Sequence, residues 1–305
     1  MRAASAQAPN AVVLIRPHHF RPNPQTAADN AFQRPADHDV SREAYDAVTR
    51  VAERLRIEGV RVHLFEDESD RHPDSVFPNN WFSTHAGGRV AVYPMYAPNR
   101  RGERRADIVE MLKSEYRVQE VIDYSGLEAD DLFLEGTGAM VLDHVSRIAY
   151  AVRSRRCDPV LVERFCTVFG YEPVVFDAVD TDGVPIYHTN VMMCIGTDIA
   201  LIGLDAVVGD ERREQIAQRI RDSGRTLVAL DAQQVASFAG NAIELRDHHG
   251  ERMLVMSETA HRSLTDEQLE LVSASCRVLP LPVSPIELAG GSVRCMLAGI
   301  HLDPR

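Results

Sequence analysis

The chain has 305 residues, of which 45% are hydrophobic and 26% are charged, and its formal net charge is −12. These values are typical of a globular protein, and the acidic balance argues against nucleic-acid binding, which needs clustered basic residues. No apolar run approaches the roughly 20 residues needed to cross a bilayer. The five cysteines form no C-x-x-C pair, which argues against a disulfide framework or a zinc site and favours a cytoplasmic location.

The N-terminal segment differs from the rest of the chain in composition. Residues Met1–Asn10 lack the apolar stretch of a secretory signal and are predicted to be a disordered lead-in. Residues 11–305 are predicted to form a single domain built from five repeats. Its first predicted strand is Ala11–Arg16, a continuous apolar run that ends on a charged residue.

Five segments with helical apolar periodicity start about 50 to 60 residues apart, a spacing that indicates an internal repeat. The predicted helices are Ser41–Arg56, Arg101–Lys113, Pro159–Val168, Asp210–Arg221 and Thr265–Ala274. A short β-branched run follows each helix and is predicted to be a strand: Val60–Phe65, Val118–Ile122, Pro173–Phe176, Thr226–Leu230 and Arg277–Leu281.

Each of these strands leads through a loop toward a predicted hairpin. Four hairpins are Trp81–Thr84 with Arg89–Tyr93, Ala139–Leu142 with Arg147–Val152, Val191–Ile195 with Ile199–Gly203, and Ala242–Arg246 with Met253–Met256. The fifth strand, Val293–Leu297, lacks a local partner, and Ala11–Arg16 is the remaining unassigned strand. The chain is therefore predicted to close on itself and hide its sheet edges. The alternative is an ordinary α/β protein whose elements alternate by chance.

The loop that enters each hairpin holds polar or glycine-rich residues at the same place in every repeat. These loops are Asn79-Asn80, Glu135–Gly138, His188–Asn190, Gly240-Asn241, and Gly290-Gly291 ahead of Cys295. In a ring of repeats, equivalent positions converge on the axis. A cysteine, a histidine, a glutamate and asparagines that are far apart in sequence are therefore predicted to share one central pocket.

This set of side chains suits nucleophilic catalysis. Cys295 is a strong nucleophile as a thiolate, and His188 can hold that thiolate and later activate a water as a general base. Glu135, followed by a glycine, can accept hydrogen bonds from a planar array of N–H groups. Taken singly, the three residues have ordinary structural alternatives: a buried small side chain, a loop histidine and a turn-capping carboxylate. Their coincidence across repeats favours a catalytic site.

At these residues the chain resembles the guanidino-group-modifying, or pentein, superfamily of arginine deiminases, dimethylarginine hydrolases and amidinotransferases. The similarity extends from Val12 to Leu302. The motifs that carry it are Gly290–Met296, which resembles the nucleophile segment, Leu134–Gly138, His188–Asn190 and Phe77–Asn80. The fold that the resemblance implies is an α/β five-bladed pseudo-symmetric propeller closed by the N-terminal strand, with no metal and no organic cofactor.

The resemblance also implies how a substrate binds. The stretch Pro94–Arg101 is similar to a deiminase segment in which an arginine holds the substrate α-carboxylate, so Arg100 inherits that role by position. Arg156, after the second hairpin, is a second candidate for the same role. The Pro17–Pro35 stretch and the Asp67–Phe77 loop are long and turn-rich and are candidate lids.

Two departures from the superfamily pattern bear on the substrate. Asn80 and Asn190 stand where arginine-processing relatives place aspartates that grip a cationic guanidinium. An amide can donate to a neutral carbonyl oxygen, whereas a buried carboxylate requires a cation beside it. The substrate is therefore predicted to be a neutral ureido group, as in citrulline. The pattern Val76–Trp81 with His188–Asn190 and Gly291–Cys295 resembles the citrulline-utilisation hydrolase branch, which implies hydrolysis of citrulline to ornithine, carbon dioxide and ammonia.

Several other functions remain open from the sequence alone. The enzyme alternatives are arginine deiminase, dimethylarginine hydrolase, amidinotransferase or deiminase of a protein substrate. Some five-fold relatives bind ribosomal subunits without chemistry, but Cys295, His188 and Glu135 together argue against that function. The predicted partner is a small ureido or guanidino amino acid, with no nucleic acid and no membrane. A homo-oligomer is left open.

Overall fold

The computed structural model describes residues 7–305, which form fifteen strands and ten α-helices. The strands are β1 (Ala11–Pro17), β2 (Arg61–Asp67), β3 (Phe82–His85), β4 (Arg89–Val92), β5 (Glu120–Asp123), β6 (Met140–Asp143), β7 (Ile148–Val152), β8 (Glu172–Phe176), β9 (Met193–Ile195), β10 (Ile199–Ile202), β11 (Thr226–Ala229), β12 (Ile243–Arg246), β13 (Arg252–Ser257), β14 (Arg277–Leu281) and β15 (Ala298–Gly299). The helices are α1 (Ser41–Ile57), α2 (Ala106–Glu115), α3 (Gly136–Ala139), α4 (Pro159–Phe169), α5 (Asp210–Asp222), α6 (Ala232–Ala236), α7 (Glu258–Ser263), α8 (Asp266–Ser273), α9 (Ser284–Glu287) and α10 (Val293–Met296).

The strands form five three-stranded sheets with one repeated topology. In four of them an antiparallel hairpin is extended by a parallel strand that returns after a helix: β3-β4-β5, β6-β7-β8, β9-β10-β11 and β12-β13-β14. A parallel partner requires a crossover connection, and the long helix before each third strand supplies it. The predicted five-fold repetition of helix and strand is confirmed.

The fifth sheet joins the two ends of the described chain. Strand β1 pairs antiparallel with β15 at Val12↔Gly299 and parallel with β2 at Val12↔Val62. The predicted closure by the N-terminal strand is therefore confirmed. The prediction of a strand over Val293–Leu297 is wrong, because residues 293–296 form the helical turn α10 and β15 begins only at Ala298.

The second long helix also differs from its prediction. The sequence pattern predicts Arg101–Lys113, but α2 begins at Ala106 and runs to Glu115. Residues 98–103 form a separate 3-10 turn instead, which starts at Pro98. Two side chains of this turn, Arg100 and Glu103, are buried and bond to each other. They therefore point into the protein.

Gln7, at the beginning of the described chain, is buried and hydrogen-bonded. Its side-chain amide donates to the carbonyls of Leu142 and Ile195, and its oxygen accepts the N–H of His144. Residues 1–6 of the predicted lead-in lie outside the described residues. The lead-in and the extent of the single domain stay predictions.

The hydrophobic core lies between the inner sheets and the outer helices. On α4, for example, Phe165 and Phe169 are fully buried and stack at a ring distance of 4.6 Å, with Phe165 also stacked on Tyr171. The five cysteines are buried and unpaired. Within residues 7–305, no helix is both long and apolar enough to cross a membrane.

Candidate active site

Loops from the repeats meet where the inner strands begin, and their polar side chains are buried together. Glu135 lies directly before α3, His188 lies before the 3-10 turn Thr189–Val191, and Cys295 lies on α10. The exposed fraction of each of these three side chains is 3% or less. The structure thus brings the three predicted catalytic residues into one interior region.

His188 and Glu135 form a hydrogen-bonded pair across two repeats. His188 Nε2 lies 2.9 Å from Glu135 Oε2, and the N–H of Tyr96 donates to Glu135 Oε1 at 3.0 Å. Burial opposes ionisation of Glu135, but Arg156, the His188 hydrogen bond and Arg100 outweigh it and lower its pKa to about 2. An ionised carboxylate only accepts hydrogen bonds, so Nε2 carries the proton and Nδ1 has the free lone pair.

His188 is held in its neutral form by the protein interior. Burial lowers its pKa, although the hydrogen bond and the charge of Glu135 act in the opposite direction. A neutral imidazole whose Nδ1 is unprotonated can accept a proton, as a general base must. Glu135 therefore fixes the tautomer and the ring orientation of His188.

Two side-chain amides hold the sulfur of Cys295. Asn190 Nδ2 donates to Sγ at 3.3 Å, and Asn241 Nδ2 donates to it at 3.2 Å. Asn241 Oδ1 also accepts the backbone N–H groups of Ser292 and Arg294, at 3.2 and 3.1 Å. One asparagine thus shapes the turn that carries the cysteine and donates to the sulfur. These bonds turn the chain at α10, which is why a strand does not form there.

Asn241 is a site residue that the sequence reasoning did not select. Its loop, Gly240-Asn241, occupies the predicted position in the fourth repeat, and that position was the available signal. Gly240 is required there because a Cβ would lie 2.5 Å from the backbone carbon of Met192. The lack of a side chain lets the two loops approach closely enough for Asn241 Nδ2 to bond to Asn190 O at 2.9 Å.

Asn80 lies beside the histidine. Its Nδ2 donates to Asn79 Oδ1 at 3.0 Å, and its Oδ1 accepts from Arg100 Nη1 at 3.0 Å. A Cβ on Gly138 would lie 2.3 Å from Asn80 Nδ2 and 2.8 Å from His188 Nδ1, so only glycine fits between them. The Glu135–Gly138 loop is therefore glycine-rich because two site residues meet against its backbone.

Two buried amide atoms in the site have no hydrogen-bond partner among residues 7–305. Asn79 Nδ2 is a donor without an acceptor, and Asn190 Oδ1 is an acceptor without a donor. Leaving such atoms unsatisfied in the interior is costly, so they are natural partners for a ligand. One can donate to a carbonyl-type oxygen and the other can accept an N–H group.

Arg100 is fully engaged within the protein. Its Nε and Nη2 bond to the Glu103 carboxylate at 3.0 and 2.9 Å, and its Nη1 lies 3.5 Å from Glu135 Oε2. Asp74 lies 3.6 Å from its Nε. The guanidinium edge that was predicted to hold a substrate carboxylate therefore binds Glu103, a residue that sequence reasoning missed.

Arg156 is paired with a residue of a predicted lid. Its Nε and Nη2 donate to the two Asp29 carboxylate oxygens at 2.8 and 2.5 Å, and its guanidinium lies 4.8 Å from the Tyr187 ring centre. The Glu135 carboxylate is 3.7 Å away. Asp29 thus occupies the face of Arg156 that suits a substrate carboxylate, and it too was not identified from the sequence.

The two candidate lid loops contact each other near this site. Asn23 Nδ2 donates to Asp74 Oδ2 at 2.8 Å, which links the Pro17–Pro35 stretch to the Asp67–Phe77 loop. Asn30 Nδ2 donates to the carbonyl of Ala289 at 3.1 Å, next to Gly290. The segment around residues 23–30 is therefore held by hydrogen bonds both to the Asp67–Phe77 loop and to Ala289.

Carboxylates outnumber guanidinium groups in this buried region. Four acids, Asp29, Asp74, Glu103 and Glu135, surround two bases, Arg100 and Arg156. Burial raises the pKa values of Asp74 and Glu103, against the effect of the nearby Arg100. The region therefore favours a ligand that brings positive charge or hydrogen-bond donors.

Within residues 7–305, no group of three or more histidine, cysteine, aspartate or glutamate side chains is arranged to hold a metal ion. The rings of His248 and His249 are tilted by 46° to each other, with ring centres 3.9 Å apart.

The sequence model of the family described as "N,N dimethylarginine dimethylhydrolase, eukaryotic" matches residues 16–302. The chain belongs to this family. The dimethylarginine dimethylhydrolase family is part of the guanidino-group-modifying superfamily predicted from the motifs, so that prediction is confirmed. The chain is accordingly a member of a family of hydrolases that act on guanidino compounds. No curated protein matches its sequence.

Solved structures of this superfamily share the fold. ArgZ, an arginine dihydrolase from cyanobacteria, superposes with a TM-score of 0.75 at 19% identity over 96% of this chain and 41% of its own. Unliganded AgrE gives 0.74 at 18% identity over 97% and 40%. The dimethylarginine dimethylhydrolase homologue DDAH of Pseudomonas aeruginosa, complexed with citrulline, gives 0.66 at 14% identity over 96% and 100%. The chain thus spans about two fifths of ArgZ and AgrE.

Proposed function

We propose that the chain is a cysteine-dependent hydrolase of citrulline that forms ornithine, carbon dioxide and ammonia. The observation that carries the proposal is the amide of Asn190, which lies 3.3 Å from Cys295 Sγ where a carboxylate would suit a guanidinium. An amide beside the nucleophile can donate to the neutral ureido oxygen and accept from a ureido N–H. The unpartnered Asn190 Oδ1 supplies that acceptor.

In the proposed first half-reaction, Cys295 Sγ forms a bond to the ureido carbon, and the carbonyl π electrons move onto its oxygen. Amide N–H groups of Asn190 or Asn80 hold that oxyanion, and preorganised donors of this kind contribute roughly 3–4 kcal/mol to the transition state. His188 takes the thiol proton and passes it to the departing nitrogen. The C–N bond to the terminal amine breaks, ammonia leaves, and an N-alkyl thiocarbamate remains on Cys295.

The second half-reaction releases the product. His188 Nδ1 accepts a proton from water, whose oxygen attacks the thiocarbamate carbon, and the C–S bond breaks to return the sulfur to Cys295. The resulting alkyl carbamate takes up a proton on nitrogen and divides into carbon dioxide and ornithine. Glu135 keeps the imidazole oriented through its 2.9 Å bond to His188 Nε2. Its remaining lone pairs accept ureido N–H groups.

Substrate binding in this proposal requires a rearrangement over the site. Arg156 and Arg100 are proposed to hold the α-carboxylate of citrulline, and both now bind protein carboxylates. Asp29 lies on the candidate lid, so it can move away from Arg156 together with the lid segment. The substrate carboxylate would then take the place of Asp29 beside Arg156. DDAH of Pseudomonas aeruginosa binds citrulline on the same fold, which supports a pocket of suitable shape.

Arginine is the second candidate substrate. The excess of buried carboxylates around Arg100 and Arg156 favours a cationic ligand. ArgZ, which has the same fold, is an arginine dihydrolase. In that reaction Cys295 would attack the guanidinium carbon and expel ammonia, which leaves an S-alkyl thiouronium on the sulfur. Water would then add to its carbon and the C–S bond would break, giving a ureido group that would be hydrolysed by the steps above. The proposed ligand is in both cases a small amino acid.

The deciding experiment offers citrulline, arginine and dimethylarginine separately and measures ornithine, citrulline and ammonia. We expect ornithine and ammonia from citrulline. Consumption of arginine but not citrulline would refute the citrulline proposal and support guanidino hydrolysis. Mass spectrometry of the protein after mixing with citrulline should reveal a thiocarbamate adduct on Cys295.

Two variants separate chemistry from folding. Cys295→Ala and His188→Ala are expected to abolish turnover, while circular dichroism of both proteins stays that of the wild type. Full activity in Cys295→Ala would end the covalent scheme for every substrate.

A further inference from the structure

A cavity lies on the axis of the five repeats, beyond the Cys295 site. It has a volume of about 50 Å³ and is lined by residues of all five innermost strands, β3, β6, β9, β12 and β15. Arg294 faces this cavity, one residue before Cys295 in sequence. Cys295, His188 and Glu135 do not line this cavity, although Thr137 of the Glu135–Gly138 loop does.

Arg294 has no carboxylate partner among residues 7–305, in contrast to the arginines described above. Arg100 is paired with Glu103 and Arg156 with Asp29. The one hydrogen bond from the Arg294 guanidinium goes from Nη1 to the Leu297 carbonyl at 3.0 Å. No ion pair within the described residues includes it, and the groups whose charges act on it are the thiols Cys295 and Cys194. Burial lowers the pKa of Arg294.

Arg294 is partly exposed, and a cation that is partly withdrawn from water without a counter-charge is destabilising in a folded protein. The carboxylate on the cavity wall, Glu244, does not neutralise Arg294, because it bonds to Thr197 N and Oγ1 at 2.9 and 2.5 Å and lies 3.4 Å from Arg252. The Nε and Nη2 groups of Arg294 have no protein acceptor in the described chain. This edge of a guanidinium is the one that binds two oxygens of a planar anion.

We propose that this axial cavity is a binding site for a small planar oxyanion of the bicarbonate and carboxylate class, held by Arg294 Nε and Nη2. A cavity needs roughly 10–15 Å³ to hold one water, and a volume of about 50 Å³ therefore admits an ion of this size. Bicarbonate is the hydrated form of the carbon dioxide released in the proposed reaction. The site itself does not depend on that reaction.

Thermal unfolding with added anions tests the proposal. Sodium bicarbonate or sodium formate should raise the Tm of the wild type by roughly 2–4 °C above a sodium chloride control of equal ionic strength. Arg294→Met, which keeps much of the side-chain volume without the charge, should lose this rise. Without added oxyanion, Arg294→Met should be at least as stable as the wild type.

A second measurement keeps the test decisive if Arg294→Met does not fold. Equilibrium dialysis of labelled bicarbonate against the wild type should give one saturable site per chain. Arg156→Met is the matched control, since it removes an arginine of the other site and should keep that binding. Absence of saturable binding to the wild type, equal Tm rises in wild type and Arg294→Met, or loss of binding in Arg156→Met would each overturn the proposal.

Discussion

Asn241 donates a hydrogen bond from Nδ2 to Cys295 Sγ at 3.2 Å and accepts the backbone N–H of Arg294 at 3.1 Å through Oδ1. The same amide therefore orients the turn that carries the sulfur and supplies an N–H to it. Hydrogen bonds to an anion are stronger than those to a neutral acceptor. Asn241 thus orients the sulfur and supplies a donor to it.

Removing this amide should weaken the nucleophile. We expect Asn241→Ala to lower kcat by roughly 10- to 100-fold, because a hydrogen bond to a charged group is worth about 1.5–3 kcal/mol. The rate at which iodoacetamide alkylates Cys295, measured at one fixed pH, should fall in the same variant. Gln234→Ala is the control, since Gln234 is a buried amide that bonds to Ser263 O far from the site. An unchanged alkylation rate in a folded Asn241→Ala protein would contradict the assignment.

The identity of the amides should decide between ureido and guanidino substrates. The double variant Asn80→Asp with Asn190→Asp should lower kcat/KM for citrulline by about 100-fold or more, because a carboxylate cannot donate to the ureido oxygen. Arginine turnover should fall less or rise, since a guanidinium offers only N–H groups. The two kcat/KM values are measured side by side. A variant that keeps the wild-type preference would rule out the amides as the source of specificity.

Acid should destabilise the protein through Glu135. The pKa of Glu135 is lowered from 4.5 to about 2 in the folded protein. Its contribution to the free energy of unfolding is therefore fully present above about pH 4.5 and is lost as the pH falls toward 2. That contribution is on the order of 3 kcal/mol. The free energy of unfolding, measured with denaturant, should therefore fall less between pH 6 and pH 2 in Glu135→Gln than in the wild type. Glu110→Gln, at an exposed position on α2, should behave as the wild type does.

Asp29 should compete with the substrate for Arg156. Asp29→Asn keeps the shape of the side chain but removes its charge, so we expect KM for citrulline to fall by roughly fivefold. Hydrogen exchange of the segment around residues 23–30 should become faster in the same variant. Asp37→Asn, an exposed change farther along the chain, is the control. A higher KM would show instead that the Asp29–Arg156 pair is needed for binding.

The features that the sequence predicts well are those set by local pattern. A segment with apolar periodicity followed by a β-branched run recurs five times. In each case the structure has a helix followed by a strand that pairs in parallel. The positions of Cys295, His188 and Glu135 follow from their common place in the repeat. The closed ring of repeats is enough to predict that these three residues lie close together.

The features that it predicts poorly depend on contacts between distant residues. The run Val293–Leu297 has strand composition, but Asn241, more than fifty residues earlier, bends it into a turn. Arg156 meets Asp29 across 127 residues, and no local pattern indicates that pairing. The helix start near Arg101 was misplaced for a similar reason, because Arg100 turns inward to Glu103 and Glu135.

The pairing of Val12 with Gly299 has a consequence for biosynthesis. The sulfur arrives on a turn that immediately precedes β15, the last strand needed to complete the fifth sheet. During translation, the imidazole, the carboxylate and the amides all emerge before the thiol does. A nascent chain therefore has no competent nucleophile until residues 295–299 have left the ribosome, and contacts that link such distant segments form late and slowly. Reactivity therefore arises only when the segments around residues 12 and 299 are both available to pair.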